Sequence, residues 1–256
     1  MRNQLGKRPQ RRRVGINALG NYLDRQSQWS VPPIGWGKAV PAAKRRALGN
    51  KLWGCCAEDA ALHLIQMQGY NTGRPVDPTP EDALSLYSAV TGFNPAAGPP
   101  GDNPTDKGTV LTDLLAYWQK EGIPVTMADG SKEVHKILAS AAVDPNSLAQ
   151  CRWASATFGG YMMGIQFPEQ CYTSLNWNFA GGLAPIGGHC VTRSGEGAAG
   201  GRGDTWGEEV AFSNPFLLGY QDEGYIVVTE DWINAVTGRS PSCLDLSALL
   251  ADAKLL

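Results

Sequence analysis

Apolar residues recur at near-helical spacing from Cys55 to Met67, where Ala60, Ala61, Leu64, Ile65 and Met67 predict one face of a helix. A polar, proline-bearing loop follows over 69–80. Thr79-Pro80-Glu81-Asp82 supplies a cap, a first-turn proline and two acids, so a second helix is expected through Val90. Residues 92–109 read as loop. Further helices are expected over 110–122, over 129–142 with Ser131 as the cap, and over 144–156. The pattern then changes. Residues 159–168, 187–195, 208–213 and 224–231 read as short strands between Gly-rich loops, and 244–255 reads as a short closing helix. Helices fill the first half and strands the second. That segregation predicts an α+β fold with two lobes and a cleft between them. Three segments follow: an extended lead-in over 1–45, a helical lobe over 46–157, and a β-rich lobe over 158–256.

Composition adds little against this picture: 43% hydrophobic and 18% charged residues are globular values, and 31 glycines with 17 prolines predict many loops. No apolar run approaches the roughly 18 residues of a spanning helix, and the basic N-terminus has no apolar stretch of a secretory signal, so no membrane partner is expected. Charge is uneven. The first 13 residues hold Arg2, Lys7, Arg8, Arg11, Arg12 and Arg13 without an acid, leaving 16 basic against 24 acidic residues in the remainder, a net charge of −8. Such an arm is either a solvated tail or a docking segment, with Arg8, Arg11, Arg12 and Arg13 as its contacts to an acidic protein surface or nucleic acid. The six cysteines are scattered and include no C-x-x-C pair, so reduced thiols are expected and neither a metal site nor a cofactor is implied.

Cys55 and Cys56 stand together at the predicted helix start. A thiolate there is favoured by the unpaired N–H groups and the positive end of the dipole, although small buried residues also suit the position. Glu58 and Asp59 follow at once and oppose the thiolate. A nucleophile needs a base. His63 lies seven residues after Cys56, about 10.5 Å up the helix axis, too far to serve. His135 falls in the predicted helix over 129–142 and reads as surface. His189 follows Gly187-Gly188, where backbone can approach closely, and leads into a strand of the other lobe.

Asn50, Gly54-Cys55-Cys56, Gly188-His189-Cys190, Asp204-Thr205-Trp206-Gly207 and Gly224-Tyr225 together resemble the papain-like cysteine peptidase superfamily. The resemblance implies Cys56 as nucleophile, His189 as base, Asp204 as the residue orienting the imidazole and Asn50 as an oxyanion donor. Trp206, Cys55 and Gly188 fall beside that site as supporting residues. Asn50 and Asp204 depart from the family's Gln and Asn. Over about 35–250 the sequence is most similar to papain-like proteins of uncharacterised role encoded by tailed phages and prophages. This implies a virion-associated protein made in the host bacterial cytoplasm, with capsid, connector or tail proteins as partners. The role implied is that of a thiol hydrolase acting on a peptide or isopeptide bond, or that of a silent structural component held by its arm. Other signals are weaker. Arg202-Gly203-Asp204 is a chance tripeptide, the Gly-rich run near 195–203 reads as a mobile loop, Asn214 is an alternative orienting residue, and Trp177 and Phe179 either line the cleft or simply pack.

Overall fold

Successive side chains of a strand point to opposite faces, and here both faces are covered. Strand β6 (Tyr161–Pro168) sends Met162 into one core and Tyr161, Met163 and Ile165 into another. Strand β11 (Gln221–Thr229) divides Tyr225 and Val227 from Ile226 and Val228 in the same way. That is why these strands read as continuous apolar runs. The computed structural model describes residues 3–10, 17–18, 34–197, 199–234 and 236–243. Among them, nine strands form one mixed sheet in the order β1 (Asn17–Ala18), β5 (Ile137–Ala142), β11, β6, β8 (Pro185–Gly197), β9 (Gly200–Thr205), β10 (Glu208–Ser213) and β7 (Asn176–Trp177), with β2 (Ile34–Gly35) also pairing with β8. The β1–β5 and β7–β10 pairs are parallel and the rest are antiparallel.

Helix α1 (Cys56–Thr72) is buried on nearly every side. It packs with α2 (Pro80–Thr91) and α3 (Leu111–Lys120) over the first core, where Leu62, Leu64 and Ile65 meet Leu111, Leu114 and Trp118. Gly73 ends α1 at φ 83°, a left-handed conformation that glycine adopts without strain. The expected cap of α2 is present in full: the Thr79 hydroxyl accepts from the Asp82 N–H, and the Asp82 carboxylate accepts from the Thr79 N–H at 2.9 Å. Helices α4 (Leu148–Thr157) and α5 (Asn214–Tyr220) are capped by Ser147 and Ser213 and flank the second, aromatic-rich core.

The helix expected over 129–142 is not formed. Asp129 Oδ1 accepts from the Ser131 N–H at 2.9 Å and the Ser131 hydroxyl at 2.7 Å, and Gly130 stands at φ 86°. Ser131 therefore closes a turn between strands β3 (Ile123–Thr126) and β4 (Lys132–His135). Residues 137–142 alternate buried and half-buried, and β11 recruits them as β5 despite their alanines. His135 is consequently not a surface residue: it is buried, with Nδ1 2.7 Å from Asp231 Oδ1. The Gly-rich run read as a mobile loop is largely strand, since Gly197 pairs with Gly200 across the β8–β9 hairpin. The helix expected over 244–255 lies outside the described residues.

Candidate active site

The two neighbouring thiols part company at the start of α1. Cys55 is the residue before the helix and packs with Trp53, Tyr87 and Phe93 in a separate cluster. Cys56 opens the helix and faces the main core. The backbone of Cys190, the residue after His189, meets the Cys56 sulfur, so the start of α1 lies against the strand that carries the histidine. Both thiols are fully buried. Burial pushes the Cys56 thiol up to about 12, against backbone hydrogen bonding from Cys190 and Gly6 that favours the thiolate. Burial, with Glu58 and Asp59 adding, raises Cys55 well above the usual thiol range.

His189 Nε2 lies 2.7 Å from Thr205 Oγ1, and the ring stacks on Trp206 at 4.4 Å between centroids. Its Nδ1 is buried without a hydrogen-bond partner, and burial lowers the imidazole to about 3. Trp206 and Gly207 form the two-residue turn between β9 and β10, at φ 54° and 79°. A hairpin turn of this kind needs positive φ at both central positions. Glycine meets that requirement freely, whereas the tryptophan is strained and is held with its indole over the imidazole.

Two expected roles are overturned. Asp204 does not reach His189, because neighbouring residues of a strand point oppositely and Thr205 takes that contact. Asp204 instead accepts from Arg45 Nη1 at 3.4 Å, beside Glu209, which is 3.3 Å from the same nitrogen. Asn50 does not stand free as an oxyanion donor: its Nδ2 donates to Asp59 Oδ2 at 3.1 Å. His63 caps backbone, with Nε2 2.9 Å from the Arg46 carbonyl. Asn214 accepts from Arg152 at 3.1 Å rather than orienting a histidine. Trp177 is packed against Phe167, Phe212 and Phe216, and Phe179 packs on Phe216 and Tyr220.

The acids behind Cys56 are buried. Burial raises Glu58 to about 7, although Thr109 Oγ1 donates to its Oε1 at 2.7 Å. Burial raises Asp59 to about 6, with His63 and Asn50 pulling the other way. Near neutral pH, Glu58 is therefore partly protonated, which weakens its repulsion of a Cys56 thiolate.

The arm lies in the cleft. The Lys7 N–H donates to Gly188 O at 3.1 Å, the Arg8 N–H to Thr109 O at 2.8 Å, and the Thr109 N–H to Gly6 O at 2.6 Å. Residues 6–8 thus bridge the two lobes directly over Cys56. A Cβ on Gly6 would overlap the Gly54 carbonyl, and one on Gly188 would strike the Lys7 carbonyl. Gly188 therefore allows the close approach expected of it. The described arm docks on this chain's own groove, while Arg11, Arg12 and Arg13 lie outside the described residues. Among the described residues, no cluster of three His, Cys, Asp or Glu is placed to hold a metal, and no helix is long and apolar enough to cross a membrane.

This arrangement defines a fold class. The chain is similar to xylellain, a cysteine protease from Xylella fastidiosa, at 16% identity and a TM-score of 0.66, covering 89% of this chain and 97% of that one. It is similar to procathepsin B from Trypanosoma congolense at 9% identity and TM-score 0.60, covering 89% and 86%. A cysteine protease from Carica candamarcensis matches at 14% identity and TM-score 0.57, covering 77% and 99%. No protein-family model and no curated protein matches the sequence. The chain has the papain-like α+β fold. Thr205 and the groove residues that hold Lys7 carry no motif of their own; the Asp222-Glu223 pair and the lysine in the arm are the signals the sequence offers for them.

Proposed function

We propose that the chain is a thiol hydrolase of peptide or isopeptide bonds whose groove is closed by its own residues 3–8. The observation that carries this reading is the imidazole of His189. One nitrogen is held by Thr205 under Trp206, the other is unpartnered, and the adjoining backbone touches the Cys56 sulfur. In the reaction His189 takes the Cys56 proton and the sulfur attacks the carbonyl carbon. The amine leaves with that proton, and water then hydrolyses the thioester. The developing oxyanion is assigned to the unpaired N–H groups that a helix start such as that of α1 supplies. With the arm seated, both groups are neutral and the site is latent.

Alkylation of Cys56 by a thiol electrophile near neutral pH tests the reading. The full chain carrying Gly6→Val should label faster than the denatured protein, and adding Cys56→Ala should abolish the adduct. Labelling no faster than in the denatured control removes the hydrolase.

A silent virion component is a second reading, favoured by the filled groove. Virion location, with capsid, connector or tail proteins as partners, is an expectation from the sequence resemblance alone. Mass spectrometry of purified particles tests it, and absence of the chain from them would refute it.

A further inference from the structure

The hydrogen bonds that hold residues 6–8 in the groove run to backbone and carry no sequence preference of their own. Selectivity must come from what the side chains meet. Lys7 is the buried one among them, and its side chain is fully enclosed. Its Nζ stands 2.7 Å from Asp222 Oδ2 and 3.0 Å from Glu223 Oε1.

Both carboxylates are fixed from behind. Gln166 Nε2 donates to Asp222 Oδ2 at 2.5 Å, and the Tyr225 hydroxyl donates to Glu223 Oε2 at 3.0 Å. Space for the lysine stem is left by Gly164, where a Cβ would come within 2.5 Å of Lys7 Cε and 2.6 Å of Glu223 Cγ. A pair of carboxylates held by Gln166 and Tyr225, one of them buried, reached past a missing side chain, is left uncompensated by any neutral occupant.

We infer that this is the specificity pocket of the groove, and that it takes a lysine side chain from a bound peptide. The inference rests on the hydrolase reading, because it names that site's substrate class. Lys7 occupies the pocket as a tethered stand-in. Since Gly6 is the residue over Cys56, the residue flanking the lysine in a substrate supplies the carbonyl that meets the sulfur.

The test uses the full chain carrying Lys7→Glu, which sets a carboxylate against Asp222 and Glu223 and vacates the groove. Gly6→Val vacates it by a different clash and serves as a second host. Fluorescent octapeptides with the sequence of residues 3–10 carry lysine or norleucine at the Lys7 position, and binding is read by anisotropy. The lysine peptide should bind at least tenfold more tightly. Asp222→Asn with Glu223→Gln should erase that difference. Equal binding of the two peptides in both hosts overturns the pocket. Alkylation of Cys56 in the same hosts keeps the two ideas apart: an inert thiol with a retained lysine preference refutes the hydrolase and upholds the pocket, and a reactive thiol without the preference does the reverse.

Discussion

Glu58→Gln is the sharpest test of the electrostatics beneath Cys56. The substitution keeps the side-chain shape and the acceptor that Thr109 uses, and it removes a carboxyl whose second oxygen is buried without a hydrogen-bond partner. Glu58 is raised from 4.5 to about 7 in the folded chain, with burial the first cause. A carboxyl raised on folding stabilises below its unfolded value, and that stability is lost as pH climbs through the folded value. Integrated over these two values, the loss between pH 5 and pH 8 is about 2.5 kcal/mol, or about 5–10 °C in Tm for a chain of this size. His189 runs the other way. Its folded value is depressed from 6.5 to about 3, so its contribution is present above pH 6.5 and is lost as pH falls. The two trends oppose in the wild-type curve, so the difference between variant and wild type isolates Glu58. Urea unfolding at pH 5 and pH 8 should show the variant gaining on the wild type by about that amount at the higher pH. Parallel behaviour of the two proteins across this range would refute the raised carboxyl.

Thr205→Val should slow Cys56 alkylation about tenfold by unseating a buried imidazole, and should shift its pH profile, whereas Asp204→Asn should leave that profile in place; a larger effect from Asp204→Asn would restore the motif-based assignment. Gly6→Val should accelerate alkylation of the otherwise native chain, because no side chain fits against the Gly54 carbonyl. An unchanged rate would mean that the arm does not guard the sulfur. Leu114→Ala in α3, fully buried in the first core, should cost about 2–5 kcal/mol in denaturant unfolding.

Local chemistry was legible in the sequence, and long-range pairing was not. The cap of α2 is written in four consecutive residues, and α1, α3 and α4 follow from the apolar pattern. Strand β5 was missed because its alanines favour a helix in isolation, while its partner β11 lies more than 80 positions on. His189 was legible as a candidate base from a glycine pair leading into a strand. Its hydrogen-bond partner was not: Asp204 and Thr205 are adjacent, and only the pleat decides which one faces the ring. The arm's positive charge was plain, but its destination was hidden. Lys7 meets Asp222 across 215 positions, and no periodicity reports that distance.

A tether changes what a competing peptide must overcome. A segment joined covalently to the groove it fills acts at an effective concentration on the order of millimolar. A free peptide with micromolar affinity for the vacant groove would then appear roughly a thousandfold weaker against the intact chain at saturating occupancy. Turnover measured on the intact chain would thus report how often the tether lets go, and a low rate would say little about the power of the chemistry beneath it.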